Sequence, residues 1–434
     1  MELRDPIHGT IKISKPEANV IDSPQFQRLR AIKQLGFSEF SFPGATHNRY
    51  IHSIGVSHLA SLIFDQIFKD FDFENSDEFY RLRQCTRLAA MLHDIGHGPL
   101  SHTTEEVMPQ FKEFKPESYI KLKNDQKINT DRRADHEDFT IKFILDSPLT
   151  KVLKDNFANI SPIHIACLID KTLKCPDDFF IAKGLDFRPV LSQIVSSELD
   201  ADRMDYLERD AYFCGTNYGR IETNWLIGNQ TYHQVGDKLF LALNRRALYA
   251  FDDFLLSRHH MHLMVYFHHK SIIYEEMLMR YLSSKDCTFR LPADINEYIN
   301  FNDYSLHEHL QKSPNPWAQK ISTKQPYKVL FELHSSQETE RTQGMQKKIE
   351  KEAGVPIIWA SSGVRLSKYH SASPQEKSHS IYVVDQYDRL AKPYPIEKST
   401  EIFQKYEDMR RIERLYVAPE NYQKAEAFII KNKL

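Results

Sequence analysis

No apolar run in this chain approaches the about 20 residues that a membrane-spanning helix needs. The opening Met1-Glu2-Leu3-Arg4-Asp5-Pro6 lacks the apolar core of a signal peptide. The expected setting is therefore the cytoplasm, with no membrane partner. Cysteine is sparse as well. Its five residues (Cys85, Cys167, Cys175, Cys214 and Cys287) are odd in number and form no C-x-x-C pair, which excludes a zinc knuckle and a disulfide framework. An excess of one charge is also missing: 57 Lys and Arg face 59 Asp and Glu, for a net charge of -2. Whole-molecule attraction to polyanions is thus excluded, although a local basic pocket is not. There is no internal repeat and no low-complexity tract. A length of 434 residues leaves room for two or three domains and a large core.

The apolar pattern is mainly helical. Asp22-Ser23-Pro24 is a helix start, with a capping side chain followed by proline at the first helical position. Helical spacing runs through residues 53–71 and 78–92, and a single long helix is expected over 187–213. Neither Gly nor Pro occurs between Gly236 and Pro292, which predicts a short hairpin at 238–243 and one long helix at 246–282. Beyond Cys287 the texture changes. Short β-type runs at 327–331, 356–359 and 380–384 alternate with polar helical stretches at 345–353 and 405–414, and 371–377 reads as an exposed loop. The expectation is a mainly α protein, with residues 1–285 as a helical catalytic domain and 286–434 as a small α+β module.

The chemistry concentrates in His93-Asp94-Ile95-Gly96-His97-Gly98-Pro99-Leu100-Ser101-His102, which follows a buried helical stretch. A lone histidine is usually a satisfied polar group. Here His47, His52, His58, His93, His97, His102 and His136 crowd into 90 residues, and Asp94 adds a carboxylate. Adjacent imidazole and carboxylate ligands suit a divalent transition metal: Mn, Fe, Ni or Zn, with carboxylate extending the range toward Mg.

The segments Asp5–Gly9, Phe26–Arg30, Lys33–Gly36, Phe42–Ala45, His47–Arg49, His52–Val56, His93–His102 and Asp200–Asp210 resemble the HD-domain deoxynucleoside triphosphate triphosphohydrolases. These include bacterial HD enzymes and the animal enzyme that joins a sterile alpha motif to an HD domain. The resemblance covers roughly residues 3 to 285 and implies the HD helical fold. It implies one metal held by His52, His93, Asp94 and Asp202, with Mg carried on the substrate's phosphates. It further implies attack at the α-phosphorus of a dNTP, releasing deoxynucleoside and inorganic triphosphate.

On this resemblance His102 is the general acid for the departing 5′ oxygen and Glu105 orients it, although the family enzyme used for comparison has Asp there. His97 and His136, as imidazolium, would hold phosphate oxygens. Arg49 and Arg203 would face the phosphate chain, and Gln34, Tyr206 and Asp210 the deoxyribose. Arg258 and Tyr266 would line the nucleotide pocket, with Tyr266 as the ring packed against C2′. Asp22, Gln27 and Arg30 match positions that bind an activating GTP or dNTP between copies in a homo-oligomer, a dimer or tetramer. The ordinary reading of these three is a helix cap and an amphipathic turn. The chain begins at the Asp5–Gly9 motif, so the basic extension that completes that pocket in the animal enzyme is not expected here, and neither is its sterile alpha motif.

Two other readings remain open at the level of sequence. One is a different phosphohydrolase on the same centre, a nucleotidase or a single-strand 3′ exonuclease. The basic and aromatic stretch 111–133 would then supply stacking surfaces, but it is interleaved with acids and reads better as a lid or exposed loop. Nucleic acid is therefore not the favoured partner. The other is a dNTP sensor that signals through the C-terminal module.

Overall fold

The computed structural model describes residues 1–114, 131–336, 340–364, 381–388, 390–399, 402 and 409–434, except for the side chain of His102. The chain opens with an antiparallel ribbon of β1 (Glu2–Asp5) and β2 (Gly9–Lys12), then α1 (Lys15–Ile21), capped by Ser14 with Glu17 answering in a capping box. Ser23 caps a single helical turn, Pro24–Gln27, as its residues predict. The central helices are α2 (Arg49–Ile67), α3 (Ser76–Leu92) and, later, α4 (Ala201–Cys214), with α2 packed against both of the others. Asn48, Asn75 and Asp200 cap them, each side-chain oxygen accepting from a first-turn amide. α2 buries residues on every face, as a helix at the centre of a large core does.

Two long helices expected from the periodicity are broken. The 187–213 stretch is two helices, Arg188–Val195 and α4. Asp200 accepts from the amides of Ser197 and Arg203, both at 2.7 Å, and so restarts the helix with its own side chain. The 246–282 stretch is α5 (Leu248–Met261), a π-turn over His262–Tyr266, and α6 (His269–Leu282). The Phe267 amide reaches back to the His262 carbonyl at 2.8 Å, a wide turn that needs neither Gly nor Pro and so leaves no mark in composition. The hairpin starts earlier than expected, pairing β3 (Gln230–Val235) with β4 (Lys238–Asn244) across a turn where Gly236 has a φ of +65°.

The C-terminal module contains a three-stranded antiparallel sheet of β5 (Lys328–Ser335), β6 (Ile357–Val364) and β8 (Arg410–Val417), with β8 in the middle. Residues 410–414, expected to be helical, are strand, because hydrogen bonding to neighbours on both sides outweighs their polar composition; 403–408 lie outside the described residues. Strand β7 (Tyr382–Val384) leaves that sheet and pairs in parallel with β4. One apolar cluster runs from Ile11 through to Tyr416. Phe111 and Phe114 are buried in it, which contradicts for these two residues both the favoured reading as a lid or exposed loop and the alternative reading as stacking surfaces. Residues 115–130 and the loop expected at 371–377 lie outside the described residues. No helix among the described residues is long and apolar enough to cross a membrane.

Candidate metal centre and nucleotide pocket

Three element ends meet at one point: the first turn of α2, the last turn of α3 and the first turn of α4. They bring together donor atoms of His52, His93 and Asp94, all within 4.8 Å of one another. The half-buried Asp202 completes the ring, its Oδ1 lying 3.1 Å from His52 Nε2 and 3.5 Å from His93 Nε2. Both Nε2 atoms are buried and make no hydrogen bond. Their opposite nitrogens are engaged. His52 Nδ1 donates to Asp205 Oδ2 and His93 Nδ1 to the Ala90 carbonyl, each at 2.8 Å. Those outer bonds orient each ring so that Nε2 faces inward and is the nitrogen that deprotonates to ligate. Two imidazoles and two carboxylates with orphaned inward nitrogens fit a divalent transition metal.

Behind the donors lies a charged layer that motif matching missed. Asp205 also accepts from His8 Nε2 at 2.6 Å and from Arg209 Nε and Nη2, both at 2.8 Å. Arg209 Nη1 continues to Asp5 at 2.9 Å. Gly55 on α2 faces this network, and a Cβ there would run into Asp205 and Arg209. The signal was available in part: Asp205 stands three residues beyond Asp202, one helical turn along the same face. His8 and Asp5 come from the ribbon, and no local spacing predicts their arrival.

The turn after α3 is held from several sides. Arg28 donates to the carbonyls of Ile95 and His97, Tyr298 to that of Gly96, and the Gly96 amide donates to Thr140. Leu100 and Ser101 follow with φ of +52° and +55°, a left-handed pair without glycine. Strain of this kind costs on the order of 1–3 kcal/mol per residue and persists where the surroundings enforce it. Asp303 accepts from the Leu100 amide at 2.8 Å and from the Lys33 amide at 2.9 Å. The strained pair presents Ser101 Oγ to Arg49 Nε and Nη2, at 3.0 and 2.8 Å, while Arg49 Nη1 pairs with Asp94. Residues 291–303, which follow the division expected at 285, thus brace the metal loop.

Electrostatics differentiate the histidines. Burial pulls the His52 pKa down, but the carboxylates of Asp202 and Asp205 outweigh it and raise it to about 10. His93 is raised for the same kind of reason, by Asp94 and Asp202 against burial. Asp94 is held well below the ordinary carboxylate range, with Arg49, His93 and His97 overcoming the opposing effect of burial. His97 and His136 stack with ring centroids 4.0 Å apart. Burial, Arg49 and His136 keep His97 well below its ordinary value, so it is neutral, in contrast to the imidazolium expected there. His136 is raised despite burial, because Glu105 accepts from its Nδ1 at 2.6 Å. Glu105 thus holds His136; its expected partner, the His102 side chain, lies outside the described ones.

The remaining residues fall into two groups. Asp210 accepts from His47 Nε2 at 2.7 Å and from the Tyr266 hydroxyl at 2.8 Å, and Tyr206 meets the Tyr266 ring edge-on. The buried Gln34 Oε1 has no partner. Arg203 and Arg258 gather around the buried Glu198, at 3.9 and 3.4 Å, a carboxylate for which the sequence carried no signal. Asp22 ends α1, and Gln27 and Arg30 lie on the turns that follow. Gln27 donates to the Ile21 carbonyl and accepts from Arg30 Nε, both at 2.8 Å, and Arg30 lies 3.6 Å over the Tyr50 ring.

Comparison with known proteins agrees with this arrangement. The HD domain model matches residues 49–210, and the model of the HD associated region matches 224–367. The MG461 homolog of Mycoplasma pneumoniae, named as an uncharacterized protein, is 32% identical over 73% of this chain and 69% of its own length. The deoxynucleoside triphosphate triphosphohydrolase SAMHD1 homolog of Dictyostelium discoideum is 28% identical over 73% of this chain and 56% of its own. The crystal structure of a hypothetical protein from Aquifex aeolicus superposes with a TM-score of 0.75 at 25% identity, covering 98% of this chain and 99% of that one. The chain spans between 51% and 69% of the length of the first curated relatives it matches.

Proposed function

The chain belongs to the HD-domain family, and from that premise we propose that it hydrolyses deoxynucleoside triphosphates to deoxynucleoside and inorganic triphosphate. The observation that carries this reading is the set of four donors, His52, His93, Asp94 and Asp202, with the Arg49 guanidinium paired to Asp94 beside it. Its similarity to a protein named as a dNTP triphosphohydrolase supports the choice of substrate. His52, His93, Asp94 and Asp202 would hold one divalent ion, Mn, Fe, Ni or Zn. When bound, such an ion supplies Lewis acidity toward phosphate oxygen and acidifies water. A Mg ion would ride on the substrate's phosphates.

The chain's own residues do the rest. Ser101 and Asp94 hold the Arg49 guanidinium in one orientation, so its fork meets a phosphate already organised. His136, whose pKa Glu105 raises, donates to a phosphate oxygen, and neutral His97 offers a second hydrogen bond beside it. Arg203 adds charge on the α4 side. His102 is the proposed acid for the 5′ oxygen. Tyr266, Asp210, Tyr206 and Gln34 face the deoxyribose, and Arg258 supports Arg203 through Glu198.

The wider reading has three parts: a cytoplasmic homo-oligomer, a catalytic unit of residues 1–285 with the module 286–434, and an activating GTP or dNTP at Asp22, Gln27 and Arg30. Ion-pair chromatography of products from the Mn-loaded protein tests it, with each dNTP alone and all four mixed. Deoxynucleoside plus triphosphate, lost in His93→Ala/Asp94→Ala, is the expected result, and activity confined to the mixture supports the activator. Monophosphate or orthophosphate as the first product would overturn the choice of scissile bond.

A further inference from the structure

The wall assigned to the sugar is not built by the catalytic helices alone. Tyr266 ends the π-turn between α5 and α6, and its hydroxyl donates to Asp210. The next three residues are gripped from outside. Strand β8, the middle strand of the C-terminal sheet, points Arg414 and Tyr416 to one face, as residues two apart in a strand do. Arg414 Nη1 donates to the Phe267 carbonyl at 2.8 Å, and its Nε pairs with Glu332 on β5 at 2.5 Å. The Tyr416 hydroxyl donates to the His269 carbonyl at 3.1 Å. Ser41 holds His268 between them, donating to its Nδ1 at 2.8 Å. The side chains of Arg414, 4% exposed, and Tyr416 are buried, and their acceptors at Phe267 and His269 are half-buried.

The wide turn explains why such a grip is needed. A π-turn replaces the regular helix ladder by one longer bond, Phe267 N to His262 O. Arg414 takes the Phe267 carbonyl between the turn and α6, and Tyr416 adds a bond to the His269 carbonyl at the first residue of α6. A shift of residues 267–269 would carry the Tyr266 ring with it, because the two are joined through one peptide bond. The hydroxyl would then leave Asp210, whose other oxygen is held by His47.

We infer that Arg414 and Tyr416 are positioning residues for Tyr266, through which the C-terminal sheet sets the enzyme's selection of deoxyribose over ribose. The inference rests on the reading of Tyr266 and Asp210 as the sugar wall. It gives the module a part in the pocket, beyond covering apolar surface.

The test uses the full-length, Mn-loaded protein with Arg414→Met, Tyr416→Phe and Tyr266→Phe. The ratio of kcat/KM for a dNTP to that for the matching ribonucleotide is expected to fall about tenfold in Arg414→Met, the range of discrimination set by small changes in pocket fit. Tyr416→Phe, which removes one hydroxyl, lowers it less. Arg414→Lys keeps a donor for Phe267 and recovers part of the loss. Combining Arg414→Met with Tyr266→Phe adds nothing further, because both act through one ring. A purely structural role would lower kcat for both sugars alike, leave KM and the ratio unchanged, and overturn the inference. An independent arm places 3-fluorotyrosine at position 266 and follows its fluorine resonance. The resonance moves in Arg414→Met if the contact positions the ring; an unchanged resonance overturns the inference. If the wild type turns over neither sugar class, the proposed function fails, and the fluorine arm alone decides this point.

Discussion

Each imidazole at the metal centre is oriented by the nitrogen that faces away from it, and those outer partners carry much of the chemistry. Asp205 is the clearest case, because one carboxylate fixes His52 while tied to His8 and Arg209. Asp205→Asn keeps the shape but can place an amide donor against the His52 N–H. Metal affinity is expected to drop by about 10–100-fold, measured by titrating apoprotein with Mn²⁺; unchanged affinity would remove Asp205 from the account. The same residues fix the pH response. His52, raised to about 10, carries a proton at neutral pH that ligation through Nε2 must expel, and the His93 pKa is shifted in the same direction. Lower pH favours the protons, so apparent metal affinity weakens as pH falls and strengthens as it rises toward 10. Calorimetry in buffers of different ionisation enthalpy would show proton release, and its absence would contradict the assignment.

Elements were legible where caps and periodicity agreed. Ser23 marks a real start, and the apolar spacing over 53–71 and 78–92 finds α2 and α3, although α2 runs four residues earlier than expected and the Asn48 and Asn75 caps were not read. They were illegible where a side chain or tertiary pairing overrode the local pattern. Asp200 splits a periodic run, the π-turn at 262–266 has no composition signature, and 410–414 becomes strand through two neighbours distant in sequence. The site divides the same way. Residues within one motif, His93, Asp94 and His97, could be read directly, whereas Glu198, Ser101, Asp303 and Asp205 gain their roles only from what the fold brings to them. Gly96 tests the packing of the metal loop, because a Cβ there would collide with the backbone of His136 and Thr140. Gly96→Ala is expected to cost about 1–3 kcal/mol, as overpacking does, and to loosen metal binding. Chemical denaturation and Mn²⁺ titration would read both, and wild-type values in both would contradict the close approach.

At the scale of the whole molecule, the catalytic helices and the C-terminal module are stitched at several places. β7 pairs with β4, Arg414 and Tyr416 hold the start of α6, and Tyr298 and Asp303 brace the metal loop. With one apolar cluster spanning both parts, the chain is expected to unfold in a single calorimetric transition. Metal at a hundredfold excess over its Kd should stabilise that transition by about 2.7 kcal/mol. Two transitions, only one of them moved by metal, would show that the module folds apart and would undercut its role in the pocket.

The central claim is hydrolysis at the α-phosphorus, dependent on the four-donor centre. Its most direct test is a single-turnover reaction of Mn-loaded protein with a dNTP mixture in H₂¹⁸O, analysed by mass spectrometry. The account predicts inorganic triphosphate carrying one ¹⁸O, an unlabelled deoxynucleoside, and neither product from His93→Ala/Asp94→Ala. Label in orthophosphate, pyrophosphate or a nucleoside monophosphate would move the bond cleaved, and label in the deoxynucleoside would place the attack on carbon; either result contradicts the claim.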